Sequence, residues 1–395
     1  MCEKTLVCFT ASYPFGDKET YFENELFYLS QNFHKVVIIP SYNPFSSTIM
    51  RTVPKNVTVH QPILKNGFSR LLQGLSTFKL SSLFLRDFVK NKVFTDKSKL
   101  IRWLNAYIEY TSSLNLFLDL DFDSDNTLLY SYWASKPMFI DRKLLNFKKI
   151  VRMHGGDFYL NRNKNYLTLR KEIYNASDLL LPISCDIKHV LENHYQINPC
   201  KIFLSYLGVN NVARTCTINT SKVLSFVSCS NVYPLKRVHL IFDMLLELDE
   251  VVDWHHFGSG ESMADLKVHI KNKNNGKVNV VLHGHLEQKD MRIVYESTYF
   301  DWFVNVSQFE GLPVSIMEAF SYGIPAIATN VGGTREIVNS ENGYLIPENF
   351  NACLLRELVL HNNYSKRMHA YETWDIKFNA ESNYNVLVRE LKNIT

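Results

Sequence analysis

The chain lacks any apolar run of the ~18 residues that a membrane-spanning helix requires, so no membrane span is expected. It has no CxxC pair. Its seven cysteines (Cys2, Cys8, Cys185, Cys200, Cys216, Cys229 and Cys353) are scattered and odd in number. That argues against a disulfide framework or a zinc site and for reduced thiols in a cytoplasmic setting. Net charge is small, +4 over 395 residues, too little to indicate a nucleic-acid partner. The opening MCEKTLVCFTASYPFG has no basic region followed by an apolar stretch and cleavage site, so no signal peptide is expected. Short repeats and low-complexity segments are also missing.

What is present is an ordinary globular balance, 46% apolar and 21% charged, in a chain long enough for two domains. Apolar strand-like runs (KTLVCFTAS, KVVIIP, NTLLYSYW, KKIVRMHGGD, DLLLPIS) alternate with helical patterns such as YFENELFYLSQNF. That alternation predicts parallel sheets with crossover helices. It breaks at VNNVARTCTINTSK, residues 209–222, a polar stretch with no apolar face that reads as a linker. It then restarts with VLSFVSCS and a helix from Lys236, DWHHFGSG, VNVVLHGH, YFDWFVNVS and PAIAT. The expected architecture is α/β, two doubly wound halves, 1–208 and 223–379, facing a central cleft, with a closing helix 380–395. Such sheets bind ligands at the carboxyl ends of their strands.

Within residues 64–118 the pattern is helical. Between Lys65 and Arg102, nine basic residues (Lys65, Arg70, Lys79, Arg86, Lys90, Lys92, Lys97, Lys99, Arg102) face Asp87 and Asp96. Basic charge beside apolar and aromatic residues suits an anionic membrane surface; the other reading is an amphipathic insertion with a solvated basic face. The DLDFDSDN stretch, 119–126, tempts a metal reading, but it has neither the glycine nor the closing glutamate of a calcium loop. It reads as a solvated loop, and no metal is expected.

QFEGLPVSIMEAFSYGIPAIATNVGGTRE, residues 308–336, sets Glu310 on a strand-end loop and Glu318 inside the following helix, with Pro313 suiting its first turn. Amides around Gly311 and Leu312 then lie at the positive helix end. A half-enclosed carboxylate at Glu318 needs partners, which sugar hydroxyls could supply. By spacing alone the pair is a weak signal, and a capping Glu310 with a surface-facing Glu318 is the better reading.

The ordered set Glu310, Gly311, Pro313, Glu318, Ala319, Gly323, Pro325, Gly332, Gly333, Glu336 and Gly343 resembles the signature of the retaining group-1 glycosyltransferases, which have the two-domain GT-B fold. ASYPFGDKETYFENEL, RMHGGDFY, VSCSNVYPLKRVHLIFDML and NAESNYNVLVREL extend the likeness over most of the chain. The flavour is that of enzymes building bacterial surface polysaccharides.

The resemblance implies roles. Glu310 would hold donor-sugar hydroxyls and Glu318 the ribose hydroxyls of a nucleotide sugar. Amides near Gly311 and Leu312 would cradle sugar and phosphate. Lys236 would neutralise the diphosphate, with Gly16 approaching from the other domain. His154 would lie near the transferred sugar, and His285 and Leu286 by the nucleobase. Gly258, in FGSG, marks a tight loop in the cleft. Catalysis would rest on His154, Lys236 and Glu310, by front-side attack without cofactor, and the departing phosphate would take the acceptor proton. Where the family usually has an arginine five residues before the lysine, this chain has Asn231. The implied donor is a UDP-sugar ahead of a GDP-sugar, and the acceptor a saccharide or lipid-linked saccharide at the inner face of a membrane. The alternative is a non-catalytic nucleotide-sugar-binding scaffold on the same fold.

Overall fold

The computed structural model describes every residue except 1, 17–18, 45–49, 77–80, 211–222, 360–362 and 395. The expected linker, 209–222, lies almost wholly outside the described residues. The chain divides into two compact units, Met1–Tyr206 with Glu381–Thr395, and Leu207–Ala380.

The first unit is built on strands β1 (Cys2–Thr10), β2 (Phe33–Pro40), β3 (Val57–Val59), β4 (Thr127–Ser131), β5 (Lys148–Met153) and β6 (Leu179–Pro182). They form one parallel sheet in the order β3-β2-β1-β4-β5-β6. The centre of β1 is apolar on both faces, and Leu6, Val7, Cys8 and Phe9 are all buried, as befits a sheet covered on both sides. Helix Thr20–Asn32 returns the chain from β1 to β2. The long helical excursion consists of Phe68–Ser76, Ser82–Lys90, a short 3-10 turn Val93–Thr95, and Lys97–Asp119. The final helix, Ala380–Asn393, packs in this unit. Its Tyr384 ring lies 5.4 Å from Tyr28, and Lys392 donates to Asn32 at 3.0 Å.

The second unit repeats the plan with β7 (Leu224–Cys229), β8 (Val252–Phe257), β9 (Val278–Gly284), β10 (Trp302–Asn305), β11 (Ala326–Thr329) and β12 (Gly343–Ile346). The order is β12-β11-β10-β7-β8-β9, again parallel throughout. Numbered within each unit, both sheets run 3-2-1-4-5-6, the Rossmann order with a switch point beside the first strand. Trp254, Trp302, Phe226 and Phe242 fill the second core. Two strands were not anticipated from sequence, β3 and β12, both short edge strands.

Candidate functional site

Because each sheet is parallel, one edge gathers all its strand C-termini. Gly16 follows β1 and His154 follows β5. Asn231 and Lys236 follow β7, Gly258 follows β8, His285 and Leu286 follow β9, and Glu310 to Leu312 follow β10. Glu318 is the fifth residue of the helix Val314–Ser321 that leaves the last of these loops.

In the second unit Glu310 is nearly enclosed, its side chain 10% exposed. Three donors converge on its Oε1: Lys236 Nζ at 2.6 Å, Ser307 Oγ at 2.7 Å and Asn305 Nδ2 at 3.1 Å. Asn305 and Ser307 were not among the site residues expected from sequence; Ser307 opens the S-x-x-EGLP run that carries the resemblance, and both stand at the end of β10 just before Glu310. Arg237 turns away from this cluster to donate to the carbonyls of Val306 (2.7 Å), Ser307 (3.4 Å) and Glu348 (3.0 Å). It therefore fixes the strand end that presents Ser307. The expected helix from Lys236 starts later. Pro234–Lys236 is a 3-10 turn, and the helix is Val238–Leu246, because Arg237 takes a left-handed φ of 50° and breaks the run. Pro313 likewise stands just outside its helix, as the N-cap residue. Among the described residues nothing accepts a hydrogen bond from the amides of Gly311, Leu312 or Val314, so the loop presents free donors.

Glu318 is half-buried, and among the described residues its carboxylate has no hydrogen-bond or ion-pair partner. Burial raises its pKa to about 7. Cys229, which reads from sequence as core, is half-buried at the end of β7. Burial raises its thiol pKa, Glu318 adds to the rise, and Lys236 opposes it. The Cys229 sulfur thus senses the charges of both Glu318 and Lys236. Asn231 is exposed and its side chain has no partner among the described residues, so it supplies no charge where a cation was expected.

The loops hold one another by close backbone approach. Gly332 has φ 50°, and a Cβ there would lie 1.8 Å from the Glu310 carbonyl oxygen; at Gly333 it would lie 2.0 Å from that of Gly311. Gly258 has φ 135°, a Cβ would meet the Ser230 carbonyl oxygen at 1.9 Å, and its amide donates to Gly284 at 2.7 Å. Only glycine fits such positions. His285 is exposed and Leu286 half-buried just beyond Gly284.

In the first unit His154 is buried between the rings of Tyr132 and Trp133, each centroid 4.7 Å away. Burial first, and then the Arg152 guanidinium, push its pKa down to about 3, against a hydrogen bond with the Tyr132 backbone. The imidazole is therefore neutral at physiological pH. Nε2 is buried without a partner among the described residues, which leaves it an acceptor if the other nitrogen donates to Tyr132. Below it Arg152 pairs with Glu25 at 3.3 Å, both fully buried, and reaches Ser205 Oγ at 3.2 Å. Gly16, with φ 77°, accepts from Arg51 Nε at 2.8 Å. Its loop is tied by Glu19, unremarked in the sequence, whose carboxylate takes the amides of Ala11 (2.9 Å), Ser12 (2.6 Å) and Tyr13 (2.6 Å).

Among the described residues no helix is long and apolar enough to cross a membrane. Residues 219–371 match the family model of glycosyl transferases group 1. An uncharacterized glycosyltransferase of Haemophilus influenzae is 26% identical over 210 residues, 42% of this chain and 58% of that protein. A UDP-Gal:alpha-D-GlcNAc-diphosphoundecaprenol alpha-1,3-galactosyltransferase of Escherichia coli is 37% identical over 93 residues, 23% of each chain. These matches thus span less than two thirds of either curated relative. Among solved structures TarM superposes with a TM-score of 0.70 at 14% identity, covering 99% of this chain and 98% of its own. Residues 219–371 thus resemble the group 1 glycosyl transferases, and the paired parallel sheets share the GT-B fold of that structure.

Proposed function

We propose that the protein is a retaining glycosyltransferase that moves a hexose from a nucleotide diphosphate sugar, a UDP-sugar before a GDP-sugar, to a saccharide or lipid-linked acceptor in surface-polysaccharide synthesis. The observation that carries this reading is Glu318. A half-buried carboxylate without a partner is costly to keep, and paired ribose hydroxyls would satisfy it with charge-assisted hydrogen bonds. The Escherichia coli relative, whose name specifies a UDP-galactose donor and a diphosphoundecaprenol-linked acceptor, favours the UDP carrier and a lipid-linked acceptor at the inner face of a membrane.

In this reading Lys236 serves two partners in turn. Without donor it is neutralised by Glu310. With donor bound, its ammonium swings toward the diphosphate and stabilises the charge that grows there as the anomeric bond breaks. Asn305 and Ser307 keep Glu310 Oε1 in place when Lys236 leaves, so the carboxylate still meets the sugar hydroxyls. The free amides of Gly311, Leu312 and Val314 add donors at a helix N-terminus, where phosphate is favoured. The neutral His154 is suited to accept a sugar hydroxyl at Nε2 and unsuited to supply a proton. The acceptor proton passes to the departing phosphate, and the new glycosidic bond forms on the face the nucleotide leaves. No metal or cofactor is needed by this scheme.

Calorimetric titration of UDP, GDP, ADP and TDP, free and with attached sugars, into wild type and Glu318→Ala tests it. One nucleotide should bind, and the substitution should weaken it. No binding by any of them at millimolar concentration to folded protein would overturn the donor site. Binding without transfer to any saccharide or polyprenyl-linked acceptor would favour a non-catalytic scaffold.

A further inference from the structure

We propose that the tip of the helical excursion in the first unit, residues 85–97, docks on an anionic lipid surface. Here helix Ser82–Lys90 ends, the chain turns through Val93–Thr95, and Lys97 opens the next helix. Val89 is 67% exposed, Phe94 63% and Leu85 45%. Lys90, Lys92 and Lys97 stand exposed among them, and none has a hydrogen-bond or ion-pair partner among the described residues.

The nearby acids do not neutralise these lysines. Asp96 spends its carboxylate on the amides of Ser98 (2.7 Å) and Lys99 (3.1 Å). Asp87 is buried and accepts from Tyr166, from the Leu169 amide (3.2 Å) and from Asn91 (3.0 Å). Glu172 lies 3.7 Å from Arg86, outside the lysine group.

The tip is also held in shape from behind. Phe88 packs on Trp103 at 5.2 Å, Trp103 stacks on Tyr107 at 5.6 Å, and the Trp103 indole donates to the Phe84 carbonyl at 3.1 Å. Among the described residues Phe94 meets this stack through Phe88, at 6.0 Å. Phe94 and Val89 therefore stay outside a core already filled by other rings. Lys92 takes a left-handed φ of 48°, a place where glycine or asparagine is usual.

The choice of lipid over a protein partner rests on the cations. Protein interfaces are depleted of lysine and enriched in arginine and aromatic residues set in pockets. A small apolar tip ringed by unpaired lysines instead suits a fluid surface, where apolar side chains enter the headgroup boundary and lysines attract anionic lipid. The inference stands apart from the donor-site reading, since no tip residue belongs to that site.

Flotation of the full chain with vesicles tests it. Binding is expected to phosphatidylethanolamine vesicles containing phosphatidylglycerol, to be weak with phosphatidylcholine alone, and to fall with added salt. Each lysine is worth about fivefold in partitioning, so K90Q/K92Q/K97Q should weaken binding roughly a hundredfold. V89S/F94S should weaken what remains at high salt. Both variants should keep the wild-type melting temperature and nucleotide affinity. No binding to anionic vesicles, equal binding to neutral ones, or binding unchanged in both variants would overturn the proposal, the first outcome pointing to a protein partner.

Discussion

Glu318→Gln should make the ligand-free protein more stable and the donor-binding protein worse. In the folded chain burial raises the Glu318 pKa from 4.5 to about 7. The native state therefore holds a proton between those pH values that the unfolded chain has released. Stability from this group is full below about pH 4.5, falls through the window, and is flat above about pH 7. Each pKa unit is worth about 1.4 kcal/mol. The half-buried carboxylate thus costs about 2–3 kcal/mol at pH 8, allowing for water at its exposed side. Glutamine keeps the shape without the charge, so the urea midpoint should rise at pH 8 and match wild type near pH 5. Binding should show the opposite sign. Hydroxyl donors need the ionised form, so wild-type affinity for the nucleotide should climb between pH 6 and 8. The variant should lose that slope and bind roughly ten- to a hundredfold more weakly, in line with about 1.5–3 kcal/mol for a charge-assisted hydrogen bond. A variant no more stable than wild type at pH 8, or one that binds the nucleotide equally well, would refute the reasoning.

Four further outcomes are expected. Lys236→Met should weaken nucleoside diphosphate binding by about 1.5–3 kcal/mol while leaving the uncharged nucleoside unaffected, as calorimetry can separate. Ser307→Ala removes one of three donors to Glu310; it should reduce kcat/KM about tenfold and leave the affinity for free nucleotide nearly unchanged. Asn231→Arg places a cation at an exposed, unpartnered position, and titration should show tighter diphosphate binding, more marked at low salt. Gly332→Ala drives a Cβ against the Glu310 carbonyl at a positive φ, so thermal melting should show destabilisation and nucleotide titration a weakened site.

The sheets were legible because their central strands are buried on both faces, so β1, β2, β10 and β11 read as short, nearly unbroken apolar runs. Unlike the edge strands β6 and β9, which were read from sequence, β3 and β12 lack that signature: Val57–Val59 has one buried residue and Gly343–Ile346 two. Loop position was legible too, since glycine, proline and carboxylate follow strand ends in a pattern that family resemblance makes specific. What sequence did not show is which side chains converge in space. That Ser307 and Asn305 meet Lys236 on a single oxygen of Glu310, or that Arg237 is spent on carbonyls, follows from where β7 and β10 lie side by side. The later start of the helix after Lys236 depends on one backbone angle at Arg237, a position where a non-glycine residue gives no warning.

The contact of Gly332 and Gly333 with the backbone at Glu310 and Gly311 has a consequence for anyone recombining such proteins. Each loop is moulded on the other with no side chain between them. A transplanted EGLP segment would arrive shaped for a floor that the recipient must also possess. Chimeras that exchange residues 307–313 alone should misfit, whereas those carrying 307–334 as one cassette, with its intervening helix and strand, bring both halves of the mould. The heritable unit is then the cassette, and drift in one loop is constrained by the shape of its neighbour.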